Sequence, residues 1–559
     1  MNIKQLVSEK IKIEGVDSKT IFDALAIPPN PQMGDVALPC FGFAKIMHRA
    51  PNVIAQDLAN GLKNDKMIDH TEVVNGYLNI YLNKQEVVLA IVNELMQKPV
   101  LSSNTSGCGK KFCIDFSSVN IAKEPHIGHF ASTVIGASIA RLYEASGYNV
   151  VRMNYLGDYG SQFAKLVHGY QVWSNEQEIK QGGVGALQKL YIRANEECAT
   201  NPQFLSECRE TFRLMENKDP EIMRLYDWFK TISIQESKHV LFEPLGINFD
   251  DWRGEAYYSQ FTNDVLDELD KKGISKQSQG ATIVDLEPYN LGVALVKQTN
   301  GTTLYCTRDI SAVLHRHAEY NFDKCIYVTG QEQDFYFQQL FKIIELMGYA
   351  WASNLVHVTN GRLRVPEGRL SSRLGSVALA KDIMAEAVQK AGEIIEQRTK
   401  QPADQKLAQD IGIGALIFSV LKSDISKDRV FVTSEALNFD GETAPYIMYT
   451  HARCCSILTK AQVGEECDYS DVTSSGWEVV KLLNDYNNTV LLAQQKNDPS
   501  FVSKYLISLA TAFNKFYHDT KIIDDNLTKT NAKLRLVELV KRTLSEGLGL
   551  LGISAPQKM

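Results

Sequence analysis

The sequence lacks the features that mark secreted proteins, zinc ribbons and membrane proteins. Its ten cysteines form no CxxC pair, and Cys454 and Cys455 are merely adjacent, so neither a zinc ribbon nor a disulfide framework is indicated. No apolar run approaches the roughly 20 residues that a membrane-spanning helix needs. The first residues, MNIKQLVSEKIKI, also lack the long apolar core of a signal peptide. We therefore expect a protein of the reducing cytoplasm, without a membrane partner.

Internal repeats, low-complexity tracts and a strong excess of one charge are missing as well. The chain carries 59 basic and 66 acidic residues, and a net charge of -7 argues against indiscriminate coating by nucleic acid. Local basic surfaces remain compatible with this balance. Residues 501–559 form one, with nine basic and five acidic side chains. Taken alone, such a segment is more often a solvated helix face than a nucleic-acid site.

The chain of 559 residues is long enough for three or four domains, and its texture divides it into three regions. In residues 1–105, helical patterns alternate with short runs such as GYLNIYL, which predicts an α+β domain. The segment LSSNTSGCGKK then breaks the periodicity, and we place a linker near residues 104–109. Residues 106–380 have α/β texture. Residues 381–559 are rich in amphipathic helical stretches, which predicts an all-α domain.

A strand, a turn, a helix and a second strand open the middle region. FCIDF is a short apolar strand, IGHFASTVIGASIARLYEASG has helical spacing up to Gly147, and NVVRMNY is the next strand. Such a βαβ unit predicts a Rossmann-type parallel sheet with the turn at its carboxyl edge. Residues 164–248 are mostly helical, whereas GATIVDL and KCIYVTG return to buried-strand texture. We interpret the helical stretch as an insertion within the α/β domain.

Two histidines flank a glycine at the start of the predicted helix, as His126, Gly128 and His129. A helix N-terminus attracts phosphate through its free N–H groups and its dipole, the glycine lets a flat base approach the backbone, and imidazoles can donate to phosphate oxygens. The pattern therefore favours an ATP site. Two alternatives stay open at this point: the histidines, three residues apart, could ligate a metal, or they could be ordinary structural histidines.

The surrounding residues carry a resemblance to a known family. SSVNIAKEPHIGH resembles the HIGH signature of class I aminoacyl-tRNA synthetases in the form typical of arginyl-tRNA synthetases. Further blocks resemble that family in the expected order, namely NYLGDYGSQF, FDDWRGEAYY, GTTLYCTRDI, APYIMYTHAR and the closing LLGISAPQKM. Nucleotidylyltransferases share an HxGH pattern but lack these later blocks. The resemblance spans nearly the whole chain.

The resemblance implies an architecture and an activity. The architecture is a multidomain α/β plus all-α protein with an N-terminal appended tRNA-binding domain, a Rossmann-type catalytic domain with a helical insertion, and a C-terminal helical anticodon-binding bundle. The activity is ATP-dependent activation of L-arginine to arginyl-adenylate and its transfer to the 2′-hydroxyl of the terminal adenosine of tRNA(Arg). We expect Mg²⁺ to accompany ATP, no structural zinc or other metal site, and a monomer.

Two other functions are alternatives to this one. The first is another class I enzyme, either a cysteinyl-type synthetase or a nucleotidylyltransferase, and the absence of Cys and His ligand clusters counts against the zinc-using cysteinyl type. The second is a non-catalytic paralogue that binds tRNA or arginine and regulates. Retention of both histidines and of Lys123 counts against that reading.

Selective binding of arginine requires carboxylates set for forked hydrogen bonds and an aromatic wall, because a guanidinium is planar and permanently charged. Tyr305 and Asp309 would share one face of a helix, and a charge at Asp115 would be costly if it were buried without a partner. Core packing for Tyr305 and a helix N-terminal charge for Asp309 are the plain alternatives. The resemblance implies arginine binding by Asp115, Asn120, His126, Tyr305, Asp309 and Gln333.

The second signature of the class is degenerate here. After Gly368 the chain reads Arg369, Leu370, Ser371, Ser372, Arg373, Leu374, where a solvated basic loop is the plain alternative. By resemblance, ATP binding falls to His126, Gly128, His129, Ser371 and Ser372. The catalytic residues implied are Lys123, His126, His129, Arg369 and Arg373. In this assignment Lys123 replaces the missing loop lysine, although an exposed lysine without a role is the commoner case.

Several positions depart from the family pattern. The family usually has proline where Val119 and Glu124 stand, arginine at Ala131 and aspartate at Asn300, and it often has histidine near Tyr336. None of these changes removes a group whose role we can define. Together they indicate a divergent member of the family.

Overall fold

The structure is a computed structural model that describes residues 3–299, 301, 303–366 and 378–559. The predicted site residues Arg369, Ser371, Ser372 and Arg373 lie outside the described residues, as do Leu374 and Asn300. No helix in the described ranges is both long enough and apolar enough to cross a membrane.

The N-terminal region forms a small α+β domain. A three-stranded antiparallel sheet of order β1-β3-β2 packs against its helices, and GYLNIYL supplies the central strand. Alternate residues of that strand, such as Leu78 and Ile80, are completely buried. The elements are α1 (Ile3–Lys10), α2 (Ser18–Ala24), β1 (Val36–Pro39), α3 (Ala44–Met47), α4 (Pro51–Leu62), β2 (Ile68–Val74), β3 (Tyr77–Leu82) and α5 (Lys84–Gln97).

A four-stranded parallel sheet forms the centre of the middle region, and it confirms the predicted βαβ unit. Its strand order is β10-β9-β4-β5, and helix α6 connects β4 to β5. The helices α13 and α14 cover the opposite face. These elements are β4 (Lys111–Asp115), α6 (Ile127–Ala145), β5 (Asn149–Met153), α13 (Tyr305–Tyr320), β9 (Lys324–Gly330), α14 (Asp334–Leu346), β10 (Leu355–Asn360) and β11 (Leu363–Arg364).

The predicted helical insertion is confirmed between β5 and α13. Its helices are α7 (Ser161–Trp173), α8 (Glu176–Thr200), α9 (Pro202–Glu216) and α10 (Pro220–Ser237), followed by α11 (Glu255–Ser259) and α12 (Thr262–Lys271). A separate antiparallel sheet follows, made of β6 (Ser275–Ser278), β7 (Ala281–Asp285) and β8 (Val293–Lys297). GATIVDL forms β7 in this sheet, so its expected buried-strand texture was wrong. Only Val284 of that strand is buried.

The C-terminal region is helical, as predicted, apart from one two-residue strand. That strand, β12, pairs in parallel with β11 of the middle region. The elements are α15 (Ala380–Thr399), α16 (Gln405–Leu421), β12 (Arg429–Val430), α17 (Thr433–Ala436), α18 (Ala444–Leu458), α19 (Val472–Ser475), α20 (Trp477–Lys496), α21 (Ser500–Asp519) and α22 (Leu527–Leu551).

Helix α6 lies between the parallel sheet and the helical region. It packs on β4 and β9 on one side and on α16, α20 and α22 on the other. Because both sides are covered, most of its residues are buried, which explains why its sequence is apolar nearly all round. The N-terminus of this helix is therefore held from both sides at the carboxyl edge of the sheet.

Candidate active site

A cavity of about 850 Å³ opens at the carboxyl edge of the parallel sheet. Ligands of open α/β sheets bind at this edge. The end of β4, the start of α6, the helix α13 and the ends of β9 and β10 form its walls. Every predicted arginine-binding residue lines this one cavity, namely Asp115, Asn120, His126, Tyr305, Asp309 and Gln333. Gly128 and His129 line it as well.

The two histidines cap the start of α6. His126 Nδ1 accepts the N–H of Gly128 at 3.1 Å, and His129 Nδ1 accepts the N–H of His126 at 3.2 Å. The two rings stack with centroids 3.8 Å apart. Since an Nδ1 that accepts a hydrogen bond carries no proton, each neutral ring has its proton on Nε2. Both imidazoles are therefore Nε2–H donors at the helix N-terminus.

Burial keeps these donors uncharged. It lowers the pKa of His126, and it lowers the pKa of His129 to about 3, with the nearby charge of Lys123 adding to both effects. At neutral pH the histidines can thus donate hydrogen bonds to an anion without first losing or gaining a proton. A Cβ at Gly128 would lie 2.9 Å from the ring of His126, so the glycine makes room for that ring.

Asp309 lies on α13 with two tyrosines as its partners. It accepts the hydroxyl of Tyr155 at 2.9 Å and also the hydroxyl of Tyr336. Burial raises the pKa of this carboxyl, although both hydrogen bonds act in the opposite direction. The partners are neutral, so the structure gives the carboxylate hydrogen bonds but no ion pair within the described residues. Such a group is suited to receive a cation from a ligand.

A second half-buried carboxylate, Glu255, lines the same cavity and was missed by the sequence reasoning. It is the first residue of α11 and forms an ion pair with Arg308 at 2.9 Å. Burial nevertheless raises the pKa of Glu255 to about 7, and the charge of Asp309 adds to the rise. The residue lies within FDDWRGEAYY, one of the blocks that resemble the arginyl-tRNA synthetase family. A glutamate after a glycine is typical of an ordinary helix start, so its pattern gave no further signal.

Asp115, like Glu255, has an arginine partner within the protein. Its carboxylate lies 2.8 Å from Arg316, which is 2% exposed and packs over the rings of Tyr155, Tyr258 and Tyr327. Although burial alone would lower the pKa of Arg316, the charge of Asp115 holds it well above its ordinary value. The buried charge thus has the partner that the sequence argument required. Its predicted contact with substrate stays a prediction.

The remaining predicted residues differ in how they face the cavity. Tyr305 begins α13, is 54% exposed, and places its ring 5.0 Å from that of Tyr336. Gln333 stands directly before α14. The backbone of Asn120 forms an isolated parallel β-bridge with that of Gly157. Lys123 does not line the cavity: its ammonium lies 5.4 Å from the ring centroid of Tyr191, on the helical insertion.

The departures from the family pattern are accommodated locally. Val119 and Ala131 are buried, at 2% and 0% exposure. Glu124 forms an ion pair with Lys381 of α15. Within the described residues no group of three or more His, Cys, Asp or Glu side chains is placed to hold a metal ion.

Comparison with known proteins defines the class first. The model "tRNA synthetases class I (R), catalytic domain" matches residues 90–432, and the model "DALR anticodon binding domain" matches residues 447–559. A third, "Arginyl tRNA synthetase N terminal domain", matches residues 1–82. A class I catalytic domain agrees with the parallel sheet and with the histidine-capped helix at its edge.

Full-length relatives then give the family. The chain is 40% identical over 555 residues to an arginine--tRNA ligase of Clostridioides difficile, covering 98% of each chain. It is also 40% identical over 565 residues to that of Alkaliphilus metalliredigens, covering all of both. A solved Thermus thermophilus arginyl-tRNA synthetase shares the fold with a TM-score of 0.78 at 24% identity, over 96% of each chain. The chain belongs to the arginyl-tRNA synthetase family.

Proposed function

We propose that this chain activates L-arginine with ATP and transfers it to tRNA(Arg). The observation that carries the proposal is that the two ends of the cavity at the sheet edge differ in charge. One end presents two half-buried carboxylates, Asp309 and Glu255, and the other presents two neutral Nε2–H donors at the N-terminus of α6. A cationic side chain and a polyphosphate fit these two ends. Family membership supports the same assignment.

The carboxylate end selects a guanidinium. Both carboxyls have pKa values raised by burial, so each is stabilised when a cation arrives beside it. A guanidinium can reach both at once because its donors form a planar fork, whereas a lysine ammonium is a single point of charge. The ring of Tyr305 at the cavity mouth supplies the aromatic wall that we expect for such a ligand.

The histidine end receives the triphosphate. As the arginine carboxylate attacks the α-phosphate, negative charge moves onto the leaving pyrophosphate, and His126 and His129 can donate to the phosphate oxygens that gain it. The N-terminus of α6 adds its dipole. We assign further cations to Arg369, Arg373 and Lys123, and ATP contacts to Ser371 and Ser372. Mg²⁺ would enter with ATP and neutralise part of its charge.

The tRNA would be held by the two outer regions and charged on the 2′-hydroxyl of its terminal adenosine. On the helical region, Arg453 lies between the exposed rings of Tyr449 and Tyr517, at 4.9 and 5.0 Å. Such a stack can receive an unpaired base. The same region carries the basic segment of residues 501–559. We propose domains at 1–105, 106–380 and 381–559, and a monomer that works in the cytoplasm.

Pyrophosphate exchange with each amino acid, with and without tRNA, tests this function. We expect exchange only with arginine, and only when cognate tRNA(Arg) is present, because arginyl enzymes resemble those for glutamate and glutamine in needing tRNA for activation. Robust exchange with another amino acid would overturn the arginine assignment. Robust exchange with arginine alone would overturn the tRNA requirement but not the choice of amino acid.

A further inference from the structure

The turn before α6 is fastened to the helical insertion through its backbone. The N–H of Ala122 donates to Ser233 Oγ of α10 at 3.0 Å, in a buried site. The N–H of Glu124 donates to Gln188 Oε1 of α8, also at 3.0 Å. Lys123 lies between these two anchored residues. The insertion therefore fixes the backbone on both sides of Lys123.

This part of the chain needs such anchors. Ala122 has a φ of 59°, in the left-handed region that side chains other than glycine rarely adopt. Ser233 Oγ also donates to the carbonyl of Phe229 at 2.8 Å, so its position on α10 is itself held. Without these hydrogen bonds the turn could relax to an ordinary backbone conformation, which would redirect the side chain of Lys123.

The helix α8, which binds the backbone of the turn through Gln188, also contacts the side chain of Lys123. Its ammonium lies 5.4 Å from the ring centroid of Tyr191, which is three residues from Gln188 on α8. Residues three apart on a helix are neighbours, so one face holds both the backbone and the ammonium. A lysine has large rotamer freedom, and the ring restricts it. The charge of Lys123 still reaches the two histidines, whose pKa values it helps to lower.

We propose that Tyr191 and Gln188 are positioning residues for Lys123. They hold its ammonium beside the turn that leads into His126 and His129. When ATP binds, the ammonium moves from the ring of Tyr191 onto the phosphates. A cation–π contact at a partly exposed site is weak, whereas an ammonium–phosphate contact is strong, so ATP can take the ammonium from the ring. The inference rests on the proposed function, because it requires Lys123 to act on ATP.

Two pairs of variants isolate these roles in the full-length protein. Tyr191→Phe keeps the ring, whereas Tyr191→Leu replaces it with a smaller aliphatic side chain. Gln188→Glu keeps an acceptor for the N–H of Glu124, and Gln188→Leu removes it. In single-turnover adenylate formation with saturating tRNA, we expect each leucine variant to be about two- to fivefold slower than the parent, as the loss of one weak contact predicts. KM for arginine should not change, and the conservative variants should match the parent.

A double-mutant cycle separates positioning from a structural role. Lys123→Ala alone should lower the rate by roughly 10²- to 10³-fold, and Tyr191→Leu should then add no further loss. An equal loss from Tyr191→Leu with and without Lys123 would overturn the inference and leave Lys123 catalytic. If Lys123→Ala forms the adenylate at the parental rate, Lys123 is not a catalytic residue. That result would also overturn the inference, which requires Lys123 to act on ATP. None of these variant outcomes bears on the proposed function, which the exchange experiment on the parent protein tests separately.

Discussion

At the scale of single residues, the two carboxylates of the cavity differ in the partners that they already have. Asp309 has two tyrosine hydroxyls and Glu255 has Arg308, yet burial raises the pKa of both. A guanidinium placed between them would offset this cost of burial. Burial also raises the pKa of Asp115, but this carboxylate is paired at 2.8 Å with Arg316, which is only 2% exposed. We therefore expect arginine affinity to depend most on Asp309 and Glu255.

Asp309→Asn tests the first of these carboxylates. The change keeps the shape and an acceptor for one tyrosine, but it removes the charge, and losing a charge-assisted hydrogen bond costs roughly 1.5 to 3 kcal/mol. KM for arginine should rise by about 10- to 150-fold, while KM for ATP stays close to the parent value. Asp227→Asn, on the exposed surface of α10, is the matched control and should change neither. An unchanged KM for arginine in a folded Asp309→Asn protein would place Asp309 outside the binding contacts.

Glu255 predicts a pH dependence of arginine binding. Its pKa of about 7 lies above the ordinary 4.5, so its ionisation costs folding stability as pH rises from 4.5 through 7. A bound guanidinium favours the ionised form, so the Kd for arginine should increase as pH falls below 7, approaching tenfold per pH unit. Calorimetric titration of arginine between pH 5.5 and 8.5 measures this.

Two variants check that the dependence belongs to Glu255. Glu255→Gln should bind arginine more weakly at pH 8 and should show no slope near pH 7. Asp309→Asn should move the midpoint to lower pH, because the charge of Asp309 is one cause of the raised pKa. A slope near pH 7 that persists unchanged in Glu255→Gln would assign the titration to another group.

At the scale of elements, the start of α6 places two donors through side-chain capping. His126 takes the N-cap position, and its hydrogen bond to the N–H of Gly128 fixes the ring orientation. The stacked ring of His129 then closes a second hydrogen bond to the N–H of His126. The same bonds that satisfy the helix start also set the tautomers that a phosphate would meet.

Gly128→Ala should damage catalysis more than folding. The added Cβ would lie 2.9 to 3.0 Å from the ring of His126, so that ring must turn away from its hydrogen bond. We expect adenylate formation to slow by about 10- to 100-fold, in line with the loss of one preorganised donor, with a small change in melting temperature. Gly549→Ala in α22 is the control, because a Cβ there meets no atom within 4 Å. A parental rate for Gly128→Ala would show that His126 need not hold this orientation.

The elements that could be predicted from sequence are those with a strong local pattern. The βαβ unit around α6 follows from periodicity, and the helix expected at Tyr305 does begin at that residue. Partners distant in sequence do not. GATIVDL and KCIYVTG have similar patterns, yet β7 joins an antiparallel sheet and β9 the parallel one, since a strand pattern does not specify its neighbour. For the same reason neither the pairing of Asp115 with Arg316 nor the place of Glu255 in the cavity could be predicted.

At the scale of the whole molecule, the first and last regions are joined behind the active site. The carboxylate of Glu546, on α22, accepts the N–H of Leu101 at 2.9 Å and the N–H of Ser102 at 2.7 Å, and it also accepts the Ser102 hydroxyl. Arg542 on the same helix donates to the carbonyl of Lys98. Helix α22 also packs on α6, whose N-terminus carries His126 and His129. The hydrogen bonds to Glu546 and Arg542 therefore connect the end of the N-terminal region to the helix that places the two histidines.

Glu546→Ala should loosen this junction and weaken tRNA binding. Three hydrogen bonds to one carboxylate are lost, and we expect the free energy of unfolding to fall by about 1.5 to 3 kcal/mol in urea titrations. Hydrogen exchange should report faster exchange at the amides of Leu101 and Ser102. KM for tRNA should rise more than KM for arginine, because in the proposed function both outer regions hold the tRNA whereas arginine binds in the cavity of the middle region.

A neighbouring glutamate supplies the control for that change. Glu538 lies on the same helix and, among the residues that the structure describes, forms its ion pair with Lys541, three residues away at 2.9 Å. This type of contact contributes about 0.2 to 0.5 kcal/mol. Glu538→Ala should therefore leave both the exchange at residues 101–102 and the KM for tRNA nearly unchanged. If Glu546→Ala exchanges at these two amides as slowly as the parent, the junction does not depend on this carboxylate. In that case the loss of the Glu546 carboxylate could not explain weaker tRNA binding.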